Sequence, residues 1–301
     1  MRRVINSLVA ILIISAGVIM FNYPTIATFV NNVFANREIS EYKEAASGMD
    51  EEELNREIEL AQAYNQSLPM SFPADPFSGT SIRDFTGTSF EHFDMVQQGA
   101  MIGYIEIPDI DIYQPVYYGT GDEVLDKGLG LVENTSLPVG GPGTHAVISG
   151  HTGMATRKLF TDLVDVKRGD IFFVHVLNQH FAYQVDQILV VLPEETEELA
   201  IQKGKDLVTL VTCTPFGIND HRLLVRGQRV DYDFGSRPAG PGILKEHPAW
   251  LKWIAILGAG LLFIFLFILK VHHDLKKDRR SRKKKKNTKN PKKRARKNNR
   301  E

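Results

Sequence analysis

The chain has 301 residues, of which 43% are hydrophobic, so it can hold one large or two ordinary globular domains with a substantial core. Its formal net charge of zero conceals a segregation of charge. Residues 270–301 carry 17 Lys and Arg against 3 Asp and Glu, whereas residues 22–269 carry 17 basic and 33 acidic residues. The single cysteine excludes an intramolecular disulfide, and the chain contains neither an internal repeat nor a glycine-rich phosphate-binding loop.

Two apolar segments flank the acidic middle of the chain. Residues 1–21 begin with Met-Arg-Arg and are apolar from position 4, and residues 250–269 carry two Trp near their start and precede the basic tail of residues 270–301. Each segment is long enough to cross a bilayer, and positive charge marks the cytoplasmic side of a membrane protein. We therefore expect an N-terminal membrane anchor and a C-terminal transmembrane helix in the cell membrane, with both termini cytoplasmic and an extracytoplasmic middle.

Both membrane-related features have a second interpretation. The first apolar segment can be a cleaved signal peptide, because Val33 and Ala35 are small residues at the spacing of a cleavage site, although well beyond the apolar stretch. The basic tail, residues 270–301, can attract anionic lipid or bind nucleic acid. No aromatic residues or folded motif accompany its lysines, so we expect membrane lipids and no nucleic acid as partners.

The segment after the first apolar stretch contains a helix and then a long loop. Apolar residues at helical spacing and a run of acids predict a helical extension over residues 36–70. Residues 71–94 are rich in Pro, Gly, Ser and Thr, which predicts a loop. A loop of this length in a compact domain is usually functional or disordered.

Residues 95–238 have the pattern of a β domain. Turn signals separate apolar runs that predict strands in IGYIEIPDIDIYQPVYYG (two strands around a turn at Pro108 and Asp109), THAVISG, GDIFFVHV, FAYQVDQILVVL, DLVTLVTC and HRLLVRGQRVDY. Two further segments, GDEVLDKGLG and TRKLFTDLVDV, predict short helices in connections. Seven or eight short strands with little helix between them favour a mainly β fold closed into a barrel.

Cys213, the only cysteine, stands at the end of the apolar run DLVTLV. A thiol attacks acyl groups only as the thiolate, which cationic neighbours favour. His151 also stands at a strand end, between Gly150 and Gly153, which allow a substrate backbone to come close. Arg222 begins the next strand and keeps its charge, so it suits the oxyanion of a tetrahedral intermediate. The alternative is that the cysteine is buried and inert.

His221 and His145 are rival candidates for the base. His221 and Arg222 are neighbours on a strand, so their side chains point to opposite faces and cannot both face Cys213. His145 begins the strand that His151 ends, so we expect it at the far end of the barrel. The spacing of the histidines offers no metal site with the cysteine. The remaining histidines are expected to be structural or exposed: His92, His175, His180, His247, His272 and His273.

These segments together resemble the sortases, membrane-anchored cysteine transpeptidases of Gram-positive bacteria. The resemblance covers residues 101–232 and rests on TLVTC followed by HRLLVRG, on SGHTG upstream, and on ENTSLPVGG and GYIEIPDIDIYQPVYYG. It implies a closed eight-stranded β-barrel. It also implies a catalytic set of His151 as general acid and base, Cys213 as nucleophile and Arg222 for oxyanion and substrate stabilisation, with Thr212 contacting the substrate.

The sequence ADPFSG in the long loop is the mark of class C, the pilus-building sortases, in which a loop lies over the active site as a lid. Asp75, Pro76 and Phe77 are accordingly predicted to form such a lid. Asp75 can pair with Arg222 while Phe77 covers Cys213 and shields it from water. The second membrane span also fits class C. The alternative is an exposed turn, since Asp-Pro is common in turns.

The resemblance implies a two-step acyl transfer. Cys213 would cleave an LPxTG-like sorting motif of a pilin subunit through a thioacyl enzyme, and a lysine amine of another pilin would resolve it into an isopeptide bond. The implied partners are pilin subunits with a sorting signal and an acceptor lysine. No cofactor is indicated, although some sortases bind calcium. The alternative functions are a housekeeping sortase that anchors proteins to the cell wall, a plain cysteine hydrolase and a non-enzymatic membrane scaffold.

Overall fold

The structure, a computed structural model, describes residues 2–69, 73–78 and 88–236 and the single positions 260, 267, 270, 276, 277, 280 and 281. The side chains of residues 2–12 and of Ile14 lie outside this description, as do part of the predicted lid loop and most of the predicted second transmembrane helix and basic tail. Within what is described, no helix combines the length and the apolar character needed to cross a membrane.

The chain divides into two compact units. One comprises Met1–Asn22 and Leu244–Glu301, and the other comprises Tyr23–Ile243 and contains the β domain. The N-terminal extension consists of two helices, α1 over Arg2–Gly48 and α2 over Glu51–Ser67. The single helix expected over residues 36–70 is therefore interrupted.

The break between α1 and α2 has a local cause. Gly48 ends α1, and Asp50 is the N-cap of α2, where its carboxylate accepts a hydrogen bond of 2.8 Å from the backbone N–H of Glu53. Glu51 and Glu52 follow in the first turn, where the helix dipole favours negative charge. The run of acids that predicted one helix over residues 36–70 thus lies at the start of a second helix, α2.

Both helices are held to the β domain by partly buried hydrogen bonds. From α1, the Tyr42 hydroxyl donates to the carbonyl of Ile102 at 2.8 Å and accepts from the N–H of Leu177 at 2.8 Å. From α2, the Asn65 side chain donates to the carbonyl of Leu137 at 3.0 Å and accepts from its N–H at 2.7 Å. Tyr64 of α2 is fully buried in the same core. The residues after Tyr23 therefore form one folding unit with the strands.

The strands close into an eight-stranded barrel within the described residues, which confirms the predicted mainly β fold and its closed barrel. The strand order is β1-β2-β3-β4-β7-β8-β6-β5. Neighbours are antiparallel, except that β2 with β3 and β4 with β7 are parallel. The strands are β1 Met101–Ile107, β2 Ile112–Tyr118, β3 Leu129–Leu131, β4 Thr144–Ser149, β5 Ile171–Val176, β6 Gln179–Val191, β7 Asp206–Thr214 and β8 His221–Val230.

The segment GDEVLDKGLG contains both a helix and a strand. The predicted helix is present as α3 over Asp122–Lys127, but no sequence pattern predicted β3, which follows directly. Three residues are too few for a detectable period. Gly130 in β3 lies so close to the backbone of Gly119 that a Cβ would not fit, which explains the glycine at this position.

The barrel core is apolar, and the central strand β7 is buried on both faces. Val208 and Leu210 point into the main core, whereas Val211 belongs to a second apolar cluster. This explains why DLVTLV reads as a continuous apolar run rather than an alternating one. Burying one such side chain stabilises the fold by roughly 1.5–3 kcal/mol. Cys213 is therefore carried by one of the most rigidly packed elements of the barrel.

His145 lies in β4 level with Leu207, six residues before Cys213 on the neighbouring strand, which is about 20 Å along the strand. This confirms its predicted position far from the cysteine. The imidazole is fully buried. Its Nδ1 is 2.8 Å from the carbonyl of Ala200, which can only accept, so Nδ1 carries the proton and Nε2 accepts from the Thr209 hydroxyl at 2.7 Å.

This buried histidine predicts a specific loss of stability in acid. Burial lowers the pKa of His145 from 6.5 to about 4. An unfolded chain takes up the proton more readily, so the stabilisation is complete above pH 6.5 and is lost as the pH falls toward 4. The quantity compared is the decrease in the free energy of unfolding from pH 7 to pH 4.5. We expect this decrease to be about 2 kcal/mol smaller for the His145→Gln chain than for the unaltered chain.

Urea titrations of the full chain in detergent micelles at the two pH values measure this difference. His92→Gln, which replaces an exposed histidine, is the matched control and should retain the pH dependence of the unaltered chain. An equal loss in the His145→Gln and the unaltered chains would show that His145 does not couple folding to pH.

Candidate active site

Three neighbouring strands bring the predicted site residues to one end of the barrel. β4 and β7 run parallel with Ser149 paired to Val211, so His151 and Cys213 each lie two residues beyond a paired position. On the other side of β7, Cys213 pairs directly with Arg222 of β8. Residues directly opposite each other in an antiparallel pair project from the same face of the sheet. The parallel and antiparallel registers together therefore gather His151, Cys213 and Arg222.

The segment that carries His151 is tied to the strand that carries the cysteine. The N–H of Gly150 donates to the carbonyl of Val211 at 3.0 Å, and the Thr212 hydroxyl donates to the carbonyl of Gly150 at 2.7 Å. A Cβ at Gly150 would lie 2.8 Å from the ring of Phe160, so the close packing requires glycine. Thr212 is buried and holds β7 to this segment. A contact of Thr212 with substrate stays a prediction.

The guanidinium of Arg222 is held from two sides. Its Nε and Nη2 donate to the two carboxylate oxygens of Asp75, each at 2.8 Å, which is the bidentate geometry of a strong charged pair. Its Nη1 donates to the backbone carbonyls of Asn219 and His221, each at 3.1 Å. The ion pair expected between Asp75 and Arg222 is thus present. The two carbonyls have no sequence signal, because every residue carries one.

The Asp75-Pro76-Phe77 segment forms a tight turn over the site. The N–H of Ser78 donates to the carbonyl of Asp75 at 3.1 Å, and its hydroxyl donates to the same carbonyl at 2.7 Å. Pro76 is buried. The ring of Phe77 lies 5.6 Å from the His151 ring and 5.1 Å from the guanidinium carbon of Arg222. The segment therefore contacts two of the three candidate catalytic residues at once.

Phe77 also packs on an apolar cluster outside the barrel that the sequence analysis missed. The cluster joins side chains of β4, β6, β7 and β8 with a short 3₁₀ helix, Glu197–Leu199, in the β6–β7 connection. No single segment reveals it, because its members come from different strands. We call it the outer apolar cluster, and it consists of Val132, Val147, Leu189, Val191, Leu199, Val211 and Leu224.

The cysteine is a half-buried thiol whose pKa is raised in this arrangement. Burial is the main cause, and the carboxylate of Asp75 raises the pKa further, while Arg222 lowers it. Hydrogen bonding to Asp75 raises the pKa of Arg222. Arg222 thus favours the thiolate, as expected of a cationic neighbour, but burial, the largest influence, and the Asp75 carboxylate together outweigh it.

The rival histidine on β8 is turned toward its own loop. His221 pairs with Thr214 in the sheet, and its Nδ1 is 2.8 Å from the carboxylate of Asp220. This hydrogen bond lowers the pKa of Asp220. Among the residues that the structure describes, no three His, Cys, Asp or Glu side chains are grouped so as to hold a metal ion.

Comparison with known proteins gives consistent similarities. A family model described as the sortase domain matches residues 105–230. The crystal structure of sortase C of Streptococcus pneumoniae is 47% identical with a TM-score of 0.59, and the match covers 65% of this chain and 97% of that one. The pilus-related sortase C of Group B Streptococcus is 41% identical with a TM-score of 0.58, covering 64% of this chain and 97% of that one. Sortase A of Streptococcus agalactiae serotype III (strain NEM316) is 26% identical over 211 residues, 69% of this chain and 77% of that protein.

Proposed function

This chain belongs to the sortase family of cysteine transpeptidases, and we propose that it is a class C enzyme that polymerises pilin subunits at the cell membrane. The observation that carries the proposal is the meeting of Cys213, His151 and Arg222 beneath the Asp75-Pro76-Phe77 turn. The similar structures support the choice of substrate, because one is described by its pilin substrate specificity and another as pilus-related.

The first half-reaction forms a thioacyl enzyme. The Sγ of Cys213, as thiolate, attacks the carbonyl carbon of Thr in an LPxTG-like sorting motif. The guanidinium of Arg222 donates hydrogen bonds to the oxyanion that develops. His151 gives its proton to the nitrogen of the departing Gly as the Thr–Gly bond breaks. The pilin remains attached to Cys213 as a thioester, and the glycine fragment leaves as a free amine.

The second half-reaction uses the same groups in reverse. The Nζ of a lysine on another pilin attacks the thioester carbon, and His151 accepts the proton that this nitrogen loses. The tetrahedral intermediate again places its oxyanion against Arg222. Collapse of the intermediate forms an isopeptide bond, and Cys213 leaves as the thiolate. The enzyme returns to its starting protonation state.

We assign the arrangement in the structure to a closed state of this cycle, in which the lid covers the site. Two of the three guanidinium nitrogens of Arg222 are occupied by Asp75, and the same carboxylate raises the pKa of the Cys213 thiol. When the turn leaves, Nε and Nη2 become free for an oxyanion, while the carbonyls of Asn219 and His221 still hold Nη1. The backbone carbonyls of Asn219 and His221 therefore keep the guanidinium in its orientation. The lid controls only whether Nε and Nη2 are available to an oxyanion.

Opening of the lid also exposes a surface that suits the sorting motif. Phe77 rests on the outer apolar cluster, which runs from the β6–β7 connection to the strand of Cys213. Once Phe77 leaves, this surface can take the Leu and Pro side chains of an LPxTG-like motif, with the Thr carbonyl beside the thiol. Substrate and lid then compete for one surface, so substrate binding itself favours the open state.

Membrane anchoring completes the proposal. The apolar segments at residues 1–21 and 250–269 and the basic residues beside them support an enzyme held in the cell membrane, with both termini in the cytoplasm and the barrel outside. An anchored enzyme meets membrane-tethered pilins at a high effective concentration. The basic tail of residues 270–301 attracts anionic lipid on the cytoplasmic side.

The nature of the acceptor tests the proposed function. We expect the full chain in lipid nanodiscs, given an LPxTG peptide and an acetylated peptide whose only amine is a lysine Nζ, to form the isopeptide product in excess of the hydrolysed acid. Mass spectrometry identifies the product and its linkage. A matched acceptor of the same sequence with the lysine acetylated should give the acid alone.

The other functions predict different products in this assay. Transfer to a peptide with a free N-terminal glycine, in preference to the lysine peptide, would indicate a cell-wall-anchoring sortase. Formation of the acid alone, whatever amine is present, would indicate a hydrolase. Absence of a Cys213 adduct even after the lid is disabled would favour the non-enzymatic scaffold.

A further inference from the structure

The uncharged part of α1 is longer than the segment predicted to cross the membrane. None of the 33 residues from 4 to 36 is Asp, Glu, Lys, Arg or His. α1 is helical over this whole stretch. A helix needs about 20 apolar residues to cross the hydrocarbon core of a bilayer, so an uncharged run of 33 residues is longer than a membrane span requires. The predicted anchor accounts for only the first part of this length.

The remaining part of α1 exposes an apolar surface. Six large apolar residues between positions 23 and 34 are exposed, while Ala35 and Ile39 further along the helix are buried. An exposed patch of this kind marks a contact surface rather than ordinary protein surface. Three of its six side chains are aromatic, and aromatic residues gather at membrane–water interfaces. We call it the apolar stripe, and it consists of Tyr23, Ile26, Phe29, Val30, Val33 and Phe34.

A basic cleft begins where the apolar stripe ends. Phe34 lines one side of a cleft of about 360 Å³ that also holds three cationic and two acidic side chains. The acids are paired: Glu38 with Lys127 at 3.1 Å, and Glu41 with Arg37 at 2.8 Å. Arg157 also lines the cleft and takes part in none of the ion pairs found among the described residues. The cleft thus combines an apolar edge with a cation available to an anion.

We propose that the apolar stripe lies in the interfacial layer of a phospholipid bilayer and that Arg157 contacts a lipid phosphate. Along α1 an uncharged run is followed by the aromatic-rich stripe, and charged residues of both signs begin only at Arg37. This order favours lipid over a second protein chain, because a bilayer excludes charge from its core and gathers aromatic side chains at its interface, whereas a protein interface places no such limit on where charges begin. This inference rests on the membrane anchoring proposed above.

The proposal has a consequence for the active site. The side-chain nitrogen of Asn31, within the stripe segment, donates to the carbonyl of Thr156 at 2.9 Å. Thr156 and Arg157 belong to the β4–β5 connection, which also contains His151. Within this connection, the N–H of Phe160 donates to the carbonyl of His151 at 3.2 Å. The interfacial helix therefore fixes the His151 segment near the lipid surface, within reach of pilins that are themselves held in the membrane.

Depth-dependent quenching tests the position of the stripe. In the full chain carrying Cys213→Ala, an environment-sensitive fluorophore is attached at Phe29→Cys or Val33→Cys, and the protein is placed in phosphatidylcholine and phosphatidylglycerol vesicles that contain brominated lipids. We expect these labels to be quenched several-fold more than a label at Ser47→Cys. Ser47 is exposed on the same helix, 13 residues beyond Phe34 or about 20 Å. A label at Ile13→Cys reports whether the first apolar segment is inserted at all.

The outcomes separate this inference from the anchoring on which it rests. Quenching at Ile13→Cys without quenching at Phe29→Cys would overturn the interfacial stripe and leave the anchor intact. Absence of quenching at all four positions would overturn the anchor itself. Quenching at Phe29→Cys that occurs without brominated lipid and vanishes when labelled protein is diluted with unlabelled protein would assign the stripe to a second copy of the chain and overturn the lipid assignment.

A charge reversal tests the phosphate contact separately. We expect phosphatidylglycerol to increase the quenching at Phe29→Cys relative to vesicles of phosphatidylcholine alone. Arg157→Glu should reduce this increase. Arg168→Glu, an exposed arginine later in the same connection, is the matched control and should leave it unchanged. Equal responses of the two variants would overturn the assignment of Arg157 to lipid phosphate.

Discussion

A chain carrying Cys213→Ala is expected to lose thioacyl formation and pilin ligation by on the order of 10³-fold or more, because no other group can form the covalent intermediate. Cys213 is the only cysteine in the sequence, so an adduct found by mass spectrometry has a single possible attachment site. The variant should keep its fold, because the thiol is only half-buried at the end of β7. The measurement is the mass of the full chain after incubation with an LPxTG peptide.

Cys213→Ser is the matched control for a structural role. Serine preserves the size of the side chain and can still make hydrogen bonds, but its hydroxyl is a far weaker nucleophile at neutral pH. A structural or scaffolding role would survive this change, whereas the proposed role would not. Ligation by the serine variant at the rate of the unaltered chain would refute the assignment of Cys213 as the nucleophile.

Disabling the lid is expected to raise the rate at which a small thiol reagent modifies Cys213 by about 10- to 100-fold. Asp75→Asn weakens a charged, bidentate contact with Arg222 in which both side chains are about one-tenth exposed. Asparagine keeps one acceptor oxygen, so about one charged hydrogen bond is lost; such a bond contributes about 1.5–3 kcal/mol, and 1.4 kcal/mol corresponds to a factor of ten in the open population. Alkylation of the full chain, followed by mass spectrometry, gives the rate.

The same variant should move the pH profile of alkylation to lower pH. Burial and the Asp75 carboxylate both raise the pKa of the thiol, while Arg222 lowers it. Removing the carboxylate and opening the lid leave the arginine as the dominant influence, so the thiolate persists at lower pH. Phe77→Ala should act in the same direction through exposure alone, since it leaves the carboxylate in place.

Asp220→Asn is the control for the lid variants. This exposed carboxylate lies in the β7–β8 connection beside the site, but its hydrogen bond is to His221 rather than to Arg222. Its removal should change neither the alkylation rate nor the pH profile. If Asp75→Asn and Phe77→Ala behave like this control, the turn over the site does not restrict access to Cys213.

Different groups occupy and orient Arg222 in this arrangement. Asp75 pairs with Arg222 and adds to the effect of burial in raising the pKa of the Cys213 thiol, whereas the backbone carbonyls that hold Nη1 of Arg222 do not depend on the lid. A membrane-held enzyme with an exposed reactive thiol would hydrolyse its own intermediates or meet unwanted oxidants. Competition between Phe77 and the sorting motif for the outer apolar cluster would limit reactivity to moments when substrate is present.

Much of the site was accessible from the sequence because its residues stand at the ends of strong strand patterns. Val208 to Val211 mark β7 so clearly that the position of Cys213 at its end followed directly, and the alternation around Arg222 separated it from His221. These residues could be predicted because the signals that mark them are local. Side-chain alternation and turn chemistry act over a few residues, so they can be read without knowledge of the fold.

Pairings between distant segments required the tertiary structure. The parallel register of β4 with β7, the three-residue strand β3 and the outer apolar cluster depend on which strands become neighbours, and no local pattern encodes that choice. The raised pKa of Cys213 also required the tertiary structure, because it results from burial, from Arg222 and from a carboxylate 138 residues away in the chain. The sequence by itself determined which groups can do the chemistry, and the packing of remote segments decided that these groups are held closed, because burial and charge act through space rather than along the chain.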